Sequence, residues 1–494
     1  MNGVLFASLA AMLAVAASAQ GVVSLDIEQP PVPRLLNRRR DLGSYSQLIT
    51  NNITVKTYFA KVTVGTPPQP ISLAVDTGSS DTWVIDERAD GCEKKNPCIT
   101  PFSARGSSTV TLLDNAPFNI KYGDNSTVSG SMMKDTLTIG GAAIKNLEMG
   151  HAHTVIKVNS GILGLGLRAG ETPNGNYPNV MDLFYDQGLI GTKAFSLYLN
   201  AQDSPTGNLL FGGIDKAKFT GDLLAVPLLP SSATRKVSSY YVALSSLSMT
   251  FDNGTNQNLT FADSTVLLDS GASFTYLPNS TVTRLYQALG VAVREDPNQG
   301  VTWIDCGILD SQRKATVDFR FGGDKGPLVR VPMSQMVLDL RQGSSSSKGD
   351  LDSCLFGVLP TANDDQVHIL GDTFLRSAYV VYDLANQQVA LAQAKPNATA
   401  NANKSDVVEF GKDATTIPGL AGDAMRSATG VPTVTVTASD GGMGATATDA
   451  VGKKNAASVS RSAPTGADLL TVGLMMFWTA IGLLTGSTWI CLQL

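Results

Sequence analysis

Charge is scarce in this chain: 16% of its 494 residues are Asp, Glu, Lys or Arg, and their balance is −5. No basic face is available, so nucleic acid is excluded as a partner. Histidine is rarer, three residues in all. His151 and His153 stand two apart, as ligands on one strand face do, but no third or fourth ligand accompanies them, so neither metal nor cofactor is expected. Helical periodicity is sparse. Its best stretch is 179–187, where Val180, Leu183 and Phe184 recur at helical spacing before Gly188. Of five cysteines, Cys491 falls in the last apolar segment, leaving four that allow three pairings. Long apolar runs occur at the two ends, 4–17 and 469–484.

Between those ends a 43% hydrophobic composition supplies ample core for more than one ordinary domain. From residue 45 to about 229, short β-branched runs alternate with Gly, Pro, Asn and Asp clusters, as in an all-β lobe. Strands are expected at 62–64, 71–75, 110–112, 120–122 and 136–139. Residues 223–234 carry Pro and Ser and form a crossing, after which the same mixture repeats to about 394.

That repetition is sharpest at 74–84, AVDTGSSDTWV, and 267–277, LLDSGASFTYL. In each copy an apolar run leads to an acid, Asp76 or Asp269, then a hydroxyl residue (Thr77, Ser270), a glycine (Gly78, Gly271), a small residue (Ser79, Ala272), a serine and an aromatic, Trp83 or Tyr276. A second echo, Ile162-Leu163-Gly164 and Ile369-Leu370-Gly371, follows each copy. Self-similarity at this period predicts two lobes of one design, each giving one carboxylate to a shared cleft. The flanking apolar residues bury the strand that carries the acid, and glycine lets the backbone turn sharply after it.

Asp-Thr/Ser-Gly in two halves of a chain resembles the pepsin-like aspartic proteases. YFAKVTVGTPPQP before the first acid, YGDNSTVSG at Tyr122, FSLYL with LLFGGID, YYVALSSLSM and ILGDTFLR fit the same family in family order. The resemblance spans about 58–394 and implies an all-β bilobal fold and a peptide-cleaving activity in which Asp76 and Asp269 share one proton. Water is then the nucleophile. Thr77 and Ser270 are expected to brace the two loops, Ser79 to donate to Asp76, and Tyr122-Gly123-Asp124 to form a flap whose tyrosine bonds toward Trp83. Ala272 departs from the first copy by removing one donor from its acid. An acidic flap residue, Asp124, resembles fungal surface-anchored members of the family, the yapsins, and implies acceptance of Lys or Arg beside the cut. A silent relative that only binds peptides is the alternative, against which both acids and both glycines stand. Cys92 and Cys98 are close enough to close a small loop, leaving Cys306–Cys354 in the second lobe; one bridge per lobe also resembles the family.

The expected organisation follows. Residues 1–19 are a signal peptide, with cleavage after Ala19 and no basic residue at its start. Residues 20–40, proline-punctuated and ending in Arg38-Arg39-Arg40, form a propeptide cut after Arg40 by a processing protease. The catalytic lobes occupy 41–230 and 231–395. An Ala/Thr/Ser/Gly-rich stalk covers 396–455, and 456–494 fits a glycosylphosphatidylinositol attachment signal with Asn455 as the modified residue. Removing these ends makes the net charge more negative. Asn52, Asn253, Asn258, Asn279, Asn397 and Asn403 are glycosylation acceptors, while a sugar on Asn125 would crowd the cleft. The mature protein is expected to be a monomer on the outer face of the plasma membrane or cell wall, meeting peptide or protein substrates.

Overall fold

The first lobe is built from β1 (Val23–Glu28), β2 (Phe59–Val64), β3 (Gln69–Asp76), β4 (Trp83–Asp90), β5 (Thr111–Lys121), β6 (Thr127–Ile139), β7 (Ala142–Ile156) and β8 (Gly161–Gly164). A computed structural model describes residues 21–29, 57–92, 97–123, 125–171, 177–204, 206–231, 234–260, 263–296, 300–339, 353–361, 367–398 and 406–421. Period-two burial explains β2, where Ala60, Val62 and Val64 face the core and Lys61 faces solvent. Along the end of β3 every residue from Leu73 to Asp76 is buried, the mark of a strand covered on both sides.

Each acid-bearing strand runs parallel to the strand carrying the second echo. Asp76 of β3 registers with Gly164 of β8, and Leu268 of the strand Ser264–Leu268 registers with Leu370 of His368–Leu370. The repeated sequence therefore builds a repeated pair of strands. The second lobe contains an 8-stranded sheet that includes that pair, and a separate 4-stranded sheet. A 13-stranded sheet runs from β5 through the first lobe to Thr206–Phe211, Ala194–Tyr198, Ala378–Asp383, Gln388–Ala394 and Phe219–Pro227. Two strands beyond residue 230, Ala378–Asp383 and Gln388–Ala394, are thus inserted in the first sheet between Ala194–Tyr198 and Phe219–Pro227. The helix Val180–Asp186 forms where its periodicity predicts, with Asn179 and Asp182 making a reciprocal capping box and Gly188 following at φ 69°. The bridges Cys92–Cys98 and Cys306–Cys354 both form.

Within the expected leader 20–40, β1 inserts between Thr206–Phe211 and β2, with Val23 and Ile27 buried. Its Val23, Leu25, Ile27 alternation is short, and neighbouring strands supply the surface that makes it a strand. One expectation needs correction: the structureless stalk does not begin at 396. Val407–Glu409 pairs with Gly213–Asp215, and Phe410 and Ile417, buried at 0% and 2% exposure, join Ile214, Leu223, Tyr379 and Val381. Composition asks whether a segment can build its own core, whereas 406–421 borrows a ready one. Arg40, Asn52, Asp124, Asn403, Asn455 and the two apolar ends lie outside the described residues. Among the described residues no helix is long and apolar enough to cross a membrane.

Candidate active site

Asp76 ends β3 and Asp269 follows Leu268, so both acids leave buried strands at matched places. The loops behind them are tied crosswise. Thr77 donates its hydroxyl to the Leu268 carbonyl at 2.9 Å and accepts the Ser270 N–H at 3.0 Å. Ser270 does the converse, donating to the Val75 carbonyl at 2.9 Å and accepting the Thr77 N–H at 3.1 Å. All four groups are buried, and every donor is matched.

Glycine brings the acids close. A Cβ on Gly78 would lie 2.5 Å from the Asp269 carboxyl, and one on Gly271 would lie 2.5 Å from Asp76 Oδ1. Each loop therefore packs its bare backbone against the opposite acid, an approach that any larger residue forbids.

The two acids are not equivalent. Asp76 is 7% exposed and accepts the Gly78 N–H at 2.8 Å, the Ser79 N–H at 3.2 Å and the Ser79 hydroxyl at 2.6 Å. Asp269 accepts the Gly271 N–H at 2.8 Å, and Ala272 has no hydroxyl to add. Burial, followed by the charge of Asp76, raises the Asp269 pKa well above the usual carboxylate range, against the pull of the Gly271 N–H.

β5 and β6 form a hairpin that reaches the loop after Asp76 through Trp83. Tyr122 closes its turn by donating its N–H to Ser126 and accepting that of Asn125, which adopts φ 63°. The Trp83 indole N–H donates to the Tyr122 hydroxyl at 2.9 Å, joining the hairpin to the loop after Asp76. Trp83 is fully buried, and its ring centroid lies 6.4 Å from that of Phe118. Tyr122 and Gly123 lie at this hairpin turn, and Asp124 is outside the described residues.

Sequence reasoning misses what lies beneath and behind. Phe195 stacks on Tyr382 at 4.7 Å, Tyr240 meets Tyr382 at 4.5 Å, and the Tyr240 hydroxyl donates to the Leu165 carbonyl at 2.7 Å. FSLYL and YYVAL contain two of these rings, the only local signal for them. Behind the first loop, buried Asp81 accepts the Tyr177 hydroxyl. Glu171 sits nearby with its carboxyl pushed up to about 8 by burial and then by the charge of Asp81.

The sequence and the fold both have counterparts among known proteins. Residues 57–394 match the family model described as eukaryotic aspartyl protease. Probable aspartic-type endopeptidase opsB of Aspergillus fumigatus is 33% identical over 486 residues, covering 94% of each chain. Secreted aspartic protease 1 of Candida albicans is 35% identical over 413 residues, 80% of this chain and 97% of that protein. The aspartic proteinase of Irpex lacteus shares the fold, with a TM-score of 0.57 at 22% identity, over 77% of this chain and all of that one.

Proposed function

Because this chain belongs to the eukaryotic aspartyl proteases and is an aspartic endopeptidase, we propose that Asp76 and Asp269 are the pair that hydrolyses the peptide bond. The cross-packing of Gly78 and Gly271 on the opposite carboxylates is the observation that carries this reading. Asp269 holds the shared proton and hydrogen-bonds the substrate carbonyl oxygen, while Asp76, whose charged form has three donors, is the base. Water oxygen bonds to the carbonyl carbon as its proton passes to Asp76 and the Asp269 proton passes to the carbonyl oxygen. The resulting diol then returns a proton to Asp269, Asp76 protonates the amine, and the C–N bond breaks. Tyr122 closes over the substrate and excludes bulk water. Asp76→Asn and Asp269→Asn are each expected to lower kcat/KM at least ~100-fold with unfolding temperature preserved. Wild-type turnover by either folded variant overturns the assignment.

The reading extends to specificity and place. Asp124, between Gly123 and Asn125 in the sequence, gives a preference for Lys or Arg on the amino side of the cut. Asp124→Thr should lower kcat/KM for such peptides by about tenfold and leave Leu or Phe peptides alone. An unchanged ratio counts against it. Secretion is supported by the apolar run at 4–17, by two disulfides and by likeness to a protein named secreted aspartic protease 1. Asn253, Asn258, Asn279 and Asn397 are exposed, as glycosylation acceptors need to be. Cleavage after Arg40 leaves β1 held by hydrogen bonds and packing rather than by the chain. Attachment to a glycosylphosphatidylinositol anchor at Asn455 predicts release by a phosphatidylinositol-specific phospholipase. A mature protein that still ends at Leu494 overturns the anchor.

A further inference from the structure

His151 and His153 are two of only three histidines in the chain, and the fold uses neither in the cleft. Both lie on β7 with side chains on one face, where His151 registers with Val84 of β4. Their rings meet edge to face at 85°, and His153 Nε2 lies 3.3 Å from His151 Nδ1. On the far side of the His151 ring, Nε2 lies 2.8 Å from Asp86 Oδ2. Asp86 belongs to β4, so the row Asp86, His151, His153 runs from the strand pair outward. His151 is 4% exposed, and His153 is exposed.

This row has a chemical direction. A carboxylate beside Nε2 holds the proton there, leaving the Nδ1 lone pair of His151 aimed at His153. A carboxylate behind an imidazole is also the arrangement that orients histidines toward metal ions. Two nitrogens bound at about 2.0–2.1 Å to one tetrahedral cation lie roughly 3.3 Å apart, and that is the separation observed. We propose that His151 Nδ1 and His153 Nε2 form a two-imidazole site for a divalent transition cation of the zinc or copper class, with Asp86 setting the tautomer of His151. Imidazole nitrogen suits these ions, whereas oxygen-seeking cations would find no first ligand here. Binding moves the His153 proton from Nε2 to Nδ1, so no net proton is released from a neutral pair. Solvent on the exposed side of His153 supplies the remaining ligands. The other grouping of ligand types among the described residues, Cys306, Asp339 and Cys354, has both sulfurs in a disulfide and offers no thiolate.

The position gives the site a readout. Gly150, the residue before His151, registers with Trp83, the indole that holds Tyr122. A cation joining two β7 side chains, one of them bonded to β4, stiffens the strand pair beneath the flap. Zinc or copper should therefore raise the thermal midpoint of the full-length protein.

Isothermal titration of untagged protein with zinc sulfate or copper chloride at neutral pH tests this. One cation per chain at micromolar affinity is expected, with two nitrogen ligands in the copper resonance spectrum. His153→Ala changes an exposed side chain and should abolish binding and the thermal shift. Asp86→Asn should weaken binding roughly tenfold or more. Binding that survives His153→Ala unchanged, or no binding by the wild type at millimolar zinc, overturns the proposal and leaves the row as a hydrogen-bonded pair of rings.

Discussion

Ser79 gives its hydroxyl proton to Asp76 across 2.6 Å, and the matching place beside Asp269 holds the methyl of Ala272. A donor to the charged form lowers a carboxyl pKa, so its absence keeps Asp269 protonated to higher pH. Ala272→Ser should restore it. The alkaline limb of the kcat/KM profile is then expected to move to lower pH, and a limb that stays or rises counts against the asymmetry.

The second prediction concerns Trp83 and Tyr122. Tyr122→Phe removes the acceptor for a buried indole N–H, a loss worth about 1–3 kcal/mol. Part of this falls on the closed flap, so kcat/KM should drop by about tenfold while the unfolding temperature changes little. Equal activity in the variant would mean that the bond at 2.9 Å does not position the flap.

How far the site is legible depends on how local it is. Each acid is announced by its own neighbours, from the apolar lead-in to the glycine two residues on. The contacts that bring the acids together are not: Thr77 reaches Leu268 across 191 positions and Ser270 reaches Val75 across 195. Only a second copy of the motif hints at them. The helix Asn279–Leu289 is spelled by Val282, Leu285 and Leu289 and closed by Gly290 at φ 66°, but its first residue opens a glycosylation sequon and so reads as surface loop. β1 and 406–421 are the hardest parts, since both are short and take their conformation from surfaces built elsewhere in the chain.

Glu171 carries the third prediction. Its carboxyl is raised from 4.5 to about 8, by burial first and by Asp81 second. A group raised in the folded state contributes stability that is fully present below its unfolded pKa and lost as pH climbs through its folded value. The loss should therefore run from about pH 4.5 to about pH 8. Glu171→Gln keeps the shape and cannot ionise, so the variant should match wild type at pH 4 and unfold at higher temperature near pH 8. Parallel melting profiles across that window would exclude Glu171 as the cause.

The two bridges should differ in value. Cys306–Cys354 spans 48 positions and Cys92–Cys98 spans 6. By loop-closure entropy the first is worth about 4 kcal/mol and the second about 2 kcal/mol. Denaturant titration of paired Cys→Ala variants should show the larger fall in midpoint for the second-lobe bridge. A reversed order would show that strain or residual structure outweighs chain entropy.

The strand Ala378–Asp383 explains where this protein can be shortened. Its Val380 and Tyr382 pack in the main core beneath the catalytic loops, while Tyr379 and Val381 turn the other way onto Phe410 and Ile417. The matched family region stops at 394, sixteen residues short of Phe410. A fragment trimmed at that boundary keeps every reacting group and uncovers the back of the platform on which they rest. A chain ending near 421 keeps that face covered, and one cut at the family boundary is expected to lose solubility before it loses any reacting group.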